Sequence, residues 1–165
     1  MLALDESVNA NMDMVASGLA AVRSRGLAYC RALQNEMQID KKVDSTFGKG
    51  KVHRRLLWLS VDNSTLHWCN PLKKTPKDMP VKSVKKVVLG HNPKGVEVED
   101  MPAGDLSFMI IGKRSLKLIA LTEADRATVV KAICAMNLAV ADPLVKKMNR
   151  PSSRDLLRKS QVSMV

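Results

Sequence analysis

The chain has 165 residues, room for one domain of ordinary size with extensions, because single cores typically occupy about 100–150 residues. Its 27 lysines and arginines against 16 aspartates and glutamates give +11, distributed unevenly: residues 1–44 carry 5 basic and 6 acidic groups, residues 45–141 carry 16 and 8, and residues 142–165 carry 6 and 2. That balance calls for an anionic partner, whether lipid headgroup, nucleic acid or acidic protein face. The longest nearly apolar run, Ala132 to Ala141, is far short of the roughly 20 residues of a spanning helix.

From about Ser7 to Lys41 apolar side chains recur at Val8, Met12, Val15, Leu19, Val22, Leu27, Cys30, Leu33 and Met37. Steps of three and four, with one of five from Val22 to Leu27, place them mostly on one stripe, so the spacing predicts a long amphipathic helix over residues 1–43, weakened at Gly18 and Gly26. The stripe must be covered, either by the chain's own β domain or by another helix in a coiled coil. Val15, Leu19, Val22 and Leu33 are the candidate partner-helix face, and self-association is one way to cover it.

After Val43 the period changes to that of strands, expected at about 44–48, 52–60, 65–69, 82–89, 95–99, 106–111 and 115–120. Seven strands so closely spaced leave no room for parallel crossovers, which need about a dozen residues or more. The expected class is therefore α+β, mainly β: a seven-stranded antiparallel barrel or sandwich over residues 44–141.

Thr122 is a candidate N-cap for a helix with Glu123 and Asp125 in its first turn. Its apolar face, Val129, Val130, Ile133, Cys134, Met136, Leu138 and Val140, is suited to plug one end of the barrel, and Pro143 is expected to end or kink it. Residues 142–165 form a basic tail carrying Ser152, Ser153 and Ser160. Cys30, Cys69 and Cys134 lie too far apart for a tetrahedral metal site and are expected to be small core groups in a reducing, cytoplasmic compartment. Trp58 and Trp68, on neighbouring strands, are expected to pack in or against the barrel. The N-terminus lacks the basic start of a secretory signal.

Five segments taken together in order are similar to a known family. They are Arg54-Arg55-Leu56 entering the second strand, Thr65-Leu66-His67-Trp68, Val84-Lys85-Lys86-Val87-Val88-Leu89-Gly90-His91, Leu106-Ser107-Phe108-Met109-Ile110 and Leu116-Lys117-Leu118-Ile119-Ala120. Val43 to Asn137 resembles the pleckstrin-homology (PH) domain of delta-class phosphoinositide-specific phospholipase C. The resemblance implies a PH barrel capped by its C-terminal helix, with phosphoinositide headgroups bound at the open mouth. Carried over by position, Arg55 matches the family's phosphate-contacting arginine, Lys49 and Lys51 fall in the first loop, and Lys73 and Lys74 in the loop after the third strand. Several converging donors suit a multiply phosphorylated ring, arginine being able to engage a phosphate bidentately.

Catalysis has no support in the motifs. There is no nucleophile elbow and no HExxH, and Gly48-Lys49-Gly50-Lys51 lacks the glycine spacing and following Ser/Thr of a phosphate loop. A phospholipase barrel would need about 250 further residues. No cofactor or metal is implied, and with two Trp, one Tyr and two Phe no nucleic-acid stacking platform is recognisable. The expected function is a non-catalytic, peripherally membrane-associated module that binds phosphoinositides among anionic phospholipids. The alternative is a protein-binding scaffold module that oligomerises through its N-terminal helix.

Overall fold

The computed structural model describes residue 17, residues 24–73 and residues 75–145. Strands β1 (Met37–Val43), β2 (Lys51–Leu59), β3 (Thr65–Cys69), β4 (Lys77–Pro80), β5 (Lys86–Leu89), β6 (Ser107–Ile111) and β7 (Ser115–Ile119) form one antiparallel sheet, ordered β4-β3-β2-β1-β7-β6-β5. Helix α1, over 24–34, precedes the sheet, and helix α2 (Glu123–Met136) follows it. This is the mainly β, PH-like arrangement that the sequence implied, with an additional N-terminal helix.

The first strand lies earlier than its predicted place. Met37–Val43 alternates Ile39, Lys41 and Val43 on one face with Gln38, Asp40 and Lys42 on the other. It pairs with β2 from Met37↔Leu57 to Val43↔Lys51 and with β7 at Asp40↔Ile119. The helix predicted to run to residue 43 therefore stops at residue 34, and 44–48 is loop. Two-sided ladder pairing outweighs the weak helical period that Met37 continues.

Two further predicted strands are corrected. Of 82–89 only Lys86–Leu89 is strand, after a 3-10 turn at Val81–Ser83. Of 95–99 only an isolated Leu89↔Val96 bridge pairs, followed by a 3-10 turn at Val98–Asp100. Lys77–Pro80 is strand instead, at the sheet edge, where Pro80 needs no ladder donor.

Helix α2 starts as expected: Asp125 N–H donates to Thr122 Oγ1 at 3.1 Å. It buries Val129, Val130, Ala132 and Ile133, whereas Met136 and Leu138, expected in its apolar face, are exposed. At its C-terminus Asn137 Nδ2 donates to the carbonyls of Val81 and Val84 at 3.0 and 2.9 Å. That clamp fixes the helix to the turn joining the two edge strands and closes the barrel's corner.

Helix α1 crosses α2 closely. A Cβ on Gly26 would lie 2.7 Å from Ala135 Cβ, so the glycine that lowers helix propensity is what permits the contact. Beyond the crossing, Cys30 and Leu33 are fully buried in the core with Ile39, Leu57, Phe108 and Ile133. Leu33 is thus covered by its own domain and is not offered to a partner helix. Val15, Leu19, Val22 and the tail beyond residue 145 lie outside the described residues. Cys69 is buried and Cys134 half-buried, where burial, chiefly, pushes its thiol up to about 11.

Trp68 is in the core, but Trp58 is not. Trp58 sits half-buried on the outer face of β2, stacked on His67 of β3 with ring centroids 5.4 Å apart. The one-residue alternation of the strand decides this, because Leu57 and Leu59 already take the inward positions.

Candidate functional site

The inward stripes of four strands change character along their length. In β1 the buried Ile39 gives way to Lys41; in β2 Leu59 and Leu57 give way to Arg55, His53 and Lys51. In β3 Leu66 and Trp68 are followed by Asn70, and in β4 Met79 is preceded by Lys77. Because the strands are antiparallel and in register, with Ile39 opposite Arg55 and Trp68 opposite Lys77, the polar positions all collect at one end. The barrel floor is apolar and its mouth is cationic.

A cavity of about 320 Å³ opens there, lined by Lys41, Arg55, Trp68, Cys69, Asn70, Lys73, Thr75 and Lys77. No carboxylate is among its lining residues. Burial, followed by the repulsion of Lys77, Arg55 and Arg114, pulls the Lys41 ammonium below the ordinary lysine range. Arg114 belongs to the β6–β7 turn, which reaches the same end as the β1–β2 and β3–β4 loops. The cluster is four lining cations with a fifth close enough to repel one of them, a field that a multiply charged anion would relieve.

The nearby acids are engaged outside the cavity. Arg54 Nε donates to Asp40 Oδ1 at 2.6 Å on the outer face, and Lys117 Nζ donates to Asp44 Oδ2 at 2.6 Å. Lys117 holds the Asp44 carboxyl below its usual range chiefly through that hydrogen bond. Within the cavity, Arg55 Nη1 donates to the Arg54 carbonyl at 2.9 Å. Trp68 Nε1, one of the cavity-lining side chains, is buried without a hydrogen-bond partner.

Of the residues that the sequence nominated, Arg55 and Lys73 line the cavity. Lys49 lies in the exposed 44–50 loop and Lys51 begins β2, exposed; neither lines the cavity. Lys74 is outside the described residues. Sequence reasoning did not nominate Lys41, placed in the helix, or Lys77, which falls between the strands expected at 65–69 and 82–89. A signal was present for Lys41, two residues along a strand pattern from Ile39; Lys77 stands likewise beside Met79, but in a four-residue strand too short to show an alternation.

Two other clefts differ in chemistry. One of about 610 Å³ beside β5 is lined by valines together with Glu97, Asp100 and Asp142. Another, of about 580 Å³ between α1 and α2, is largely apolar, with Leu27, Tyr29, Met136 and Leu138. Neither collects cations as the barrel mouth does. Among the described residues no group of three His, Cys, Asp or Glu side chains is placed to hold a metal, and no helix is long and apolar enough to cross a membrane.

No family model and no curated protein matches the chain. Among solved structures it is similar to PLC21 of L. pealei, with a TM-score of 0.49 and 14% identity, over 64% of this chain and 16% of that one. It is also similar to Inner Membrane Complex sub-compartment protein 3 of Toxoplasma gondii (TM-score 0.48, 7% identity, 66% of this chain and 78% of that one). The C-terminal PH domain of human pleckstrin is a further likeness (TM-score 0.43, 18% identity, 64% and 88%).

Proposed function

We propose that this chain is a non-catalytic module that binds the phosphorylated headgroup of a phosphoinositide at the mouth of its barrel and associates peripherally with membranes. The observation that carries the reading is the 320 Å³ cavity lined by Lys41, Arg55, Lys73 and Lys77 with no carboxylate. Arg55 supplies a planar fork for one phosphate, and the three lysines supply mobile point charges for others. Lys49 and Lys51, in the hairpin loop beside the mouth, add to the field and are read as secondary contacts. Each cation near an anionic surface contributes about 1 kcal/mol, and that contribution is screened by salt. Calorimetry with soluble inositol phosphates, together with a vesicle panel at low and high salt, tests the reading. Binding that rises with phosphate number and weakens with salt is expected; equal binding to neutral and phosphoinositide-containing vesicles, with no uptake of soluble inositol phosphates, would sink it.

A second reading, a protein-docking module, is favoured by the apolar cleft between α1 and α2, beside which Leu138 is 88% exposed. Leu138→Asp with sedimentation analysis tests it: a change in oligomeric state with phosphoinositide binding intact would support docking through that cleft.

A further inference from the structure

We propose that Thr75 is the phosphorylation site of a proline-directed protein kinase, and that the phosphate, once attached, occupies the cationic cavity and shuts out the headgroup. The inference rests on the phosphoinositide reading above for what is displaced, and adds a regulation of that same site.

Thr75 is the one hydroxyl side chain among the residues that line the cavity, which otherwise brings Lys41, Arg55, Lys73 and Lys77 together without a carboxylate. It is exposed and lies, with Pro76, outside any helix or strand, between the turn at 71–73 and β4. Its Oγ1 donates to the Lys73 carbonyl at 3.3 Å, a long bond within its own loop, so freeing the hydroxyl disturbs no other element. Thr75 is also the one serine or threonine of the sequence that directly precedes a proline. Pro76 offers no N–H and disfavours a helical Thr75. That keeps the acceptor in the extended form a kinase cleft takes up, and selects the kinases that accept proline after the acceptor. Ser45 and Thr46, exposed in the β1–β2 loop at the same end, line no part of the cavity and precede no proline.

In the transfer, Thr75 Oγ1 attacks the γ-phosphorus of a nucleoside triphosphate held by the kinase. The bond to the β–γ bridging oxygen breaks, the diphosphate leaves with that electron pair, and the hydroxyl proton passes to the kinase's base. The product carries about −1.5 to −2 of charge and three acceptor oxygens, on a side chain already in the cavity wall. Arg55 can engage it bidentately and the lysines as point charges. Lys41, repelled by Lys77, Arg55 and Arg114, gains a counter-charge. A phosphate tethered so closely acts at an effective concentration on the order of millimolar, so a free headgroup must compete with an intramolecular ligand.

The test uses the full chain, unmodified and with phosphothreonine installed at position 75 during synthesis, and soluble inositol trisphosphate as the probe. Calorimetry should show binding by the modified chain weakened about tenfold or more, which requires the seated form to be favoured by about nine to one. Phosphorus NMR should show the second ionisation of the attached phosphate pulled below about pH 6, and returned towards it when Lys41→Met and Arg55→Ala are combined in the same chain. A mitogen-activated or cyclin-dependent kinase with magnesium ATP should label the unmodified chain and not Thr75→Val. Refusal of Thr75 by both kinases would overturn the assignment. An ordinary ionisation, even with weakened binding, would place the phosphate outside the cavity and overturn the inference. Equal binding of the trisphosphate by both chains would overturn it too and leave the phosphoinositide reading standing, whereas binding by neither would remove that reading and the inference with it.

Discussion

Arg54 and Arg55 are neighbours in β2 with opposite fates: Arg54 Nε donates to Asp40 Oδ1 at 2.6 Å on the outer face, while Arg55 lines the basic cavity on the inner face. The pleat of the strand sets this division, and it makes the pair an internal control. Arg55→Ala should weaken binding of phosphoinositides by about tenfold to a hundredfold, the range for charge-assisted hydrogen bonds to a phosphate. Arg54→Ala removes a charge already neutralised by an exposed ion pair and should change binding by about twofold or less, with a stability cost within about 1 kcal/mol. Calorimetry on both variants checks this, and comparable losses from the two would mean that net charge, not the inner cavity, sets affinity.

Lys41 repels, and is repelled by, the cations it sits among. Lys41→Met should therefore reduce phosphoinositide affinity while leaving the melting temperature unchanged or raised, by up to about 1 kcal/mol of stability after solvent screening of a partly exposed amine. A residue with only a structural role would show the reverse, with melting lowered and binding intact. Thermal melts and calorimetry on the same preparations distinguish the two.

The sequence was most legible where one periodicity ruled alone. β2, β3, β6 and β7 fall within a residue or so of their expected spans, and Thr122 caps α2 as its chemistry demands. It was least legible where two periods overlapped: Met37 stands four residues after Leu33, so a helical stripe ran on into what is strand β1, and Lys41 was lost from the site with it. Lys77 was lost for a different reason. Lys77–Pro80 is a short edge strand that ends in proline, and its apolar content is one side chain, Met79, so nothing local distinguishes it from linker. Arg55 and Lys73, placed by the family resemblance, line the cavity, as do Lys41 and Lys77, whereas Lys49 and Lys51 do not.

Gly26 is the point where α1 touches α2, so its substitution tests whether the N-terminal helix is part of the fold. With Ala135 Cβ 2.7 Å from the place of a new Cβ, Gly26→Val cannot be accommodated without moving α1. The expected cost is about 1–3 kcal/mol, the range for overpacking, even though valine outranks glycine as a helix former. Denaturant melts read the change. A Gly26→Val protein as stable as the wild type would mean that α1 contributes little to the packing on α2.

The lowered pKa of Lys41 has a signature in binding as well as in stability. Burial first, then Lys77, Arg55 and Arg114, hold it below the ordinary 10.5. In the pH window between its folded value and 10.5 the folded chain therefore binds fewer protons than the unfolded one. Lys41's contribution to stability rises with pH across that window and is a constant penalty below it. A phosphate bound beside the amine favours its charged form and raises its pKa, so binding in the alkaline window must take up protons, and affinity must fall as pH rises through the free protein's value. Phosphate groups themselves titrate near about pH 6, so the measurement is made in buffers well above that range. Calorimetry with a soluble inositol phosphate in two alkaline buffers of different ionisation enthalpy should show proton uptake by the wild type and less by Lys41→Met. Equal uptake by both would assign the proton to another cation of the cluster and remove Lys41 from direct contact with the phosphate.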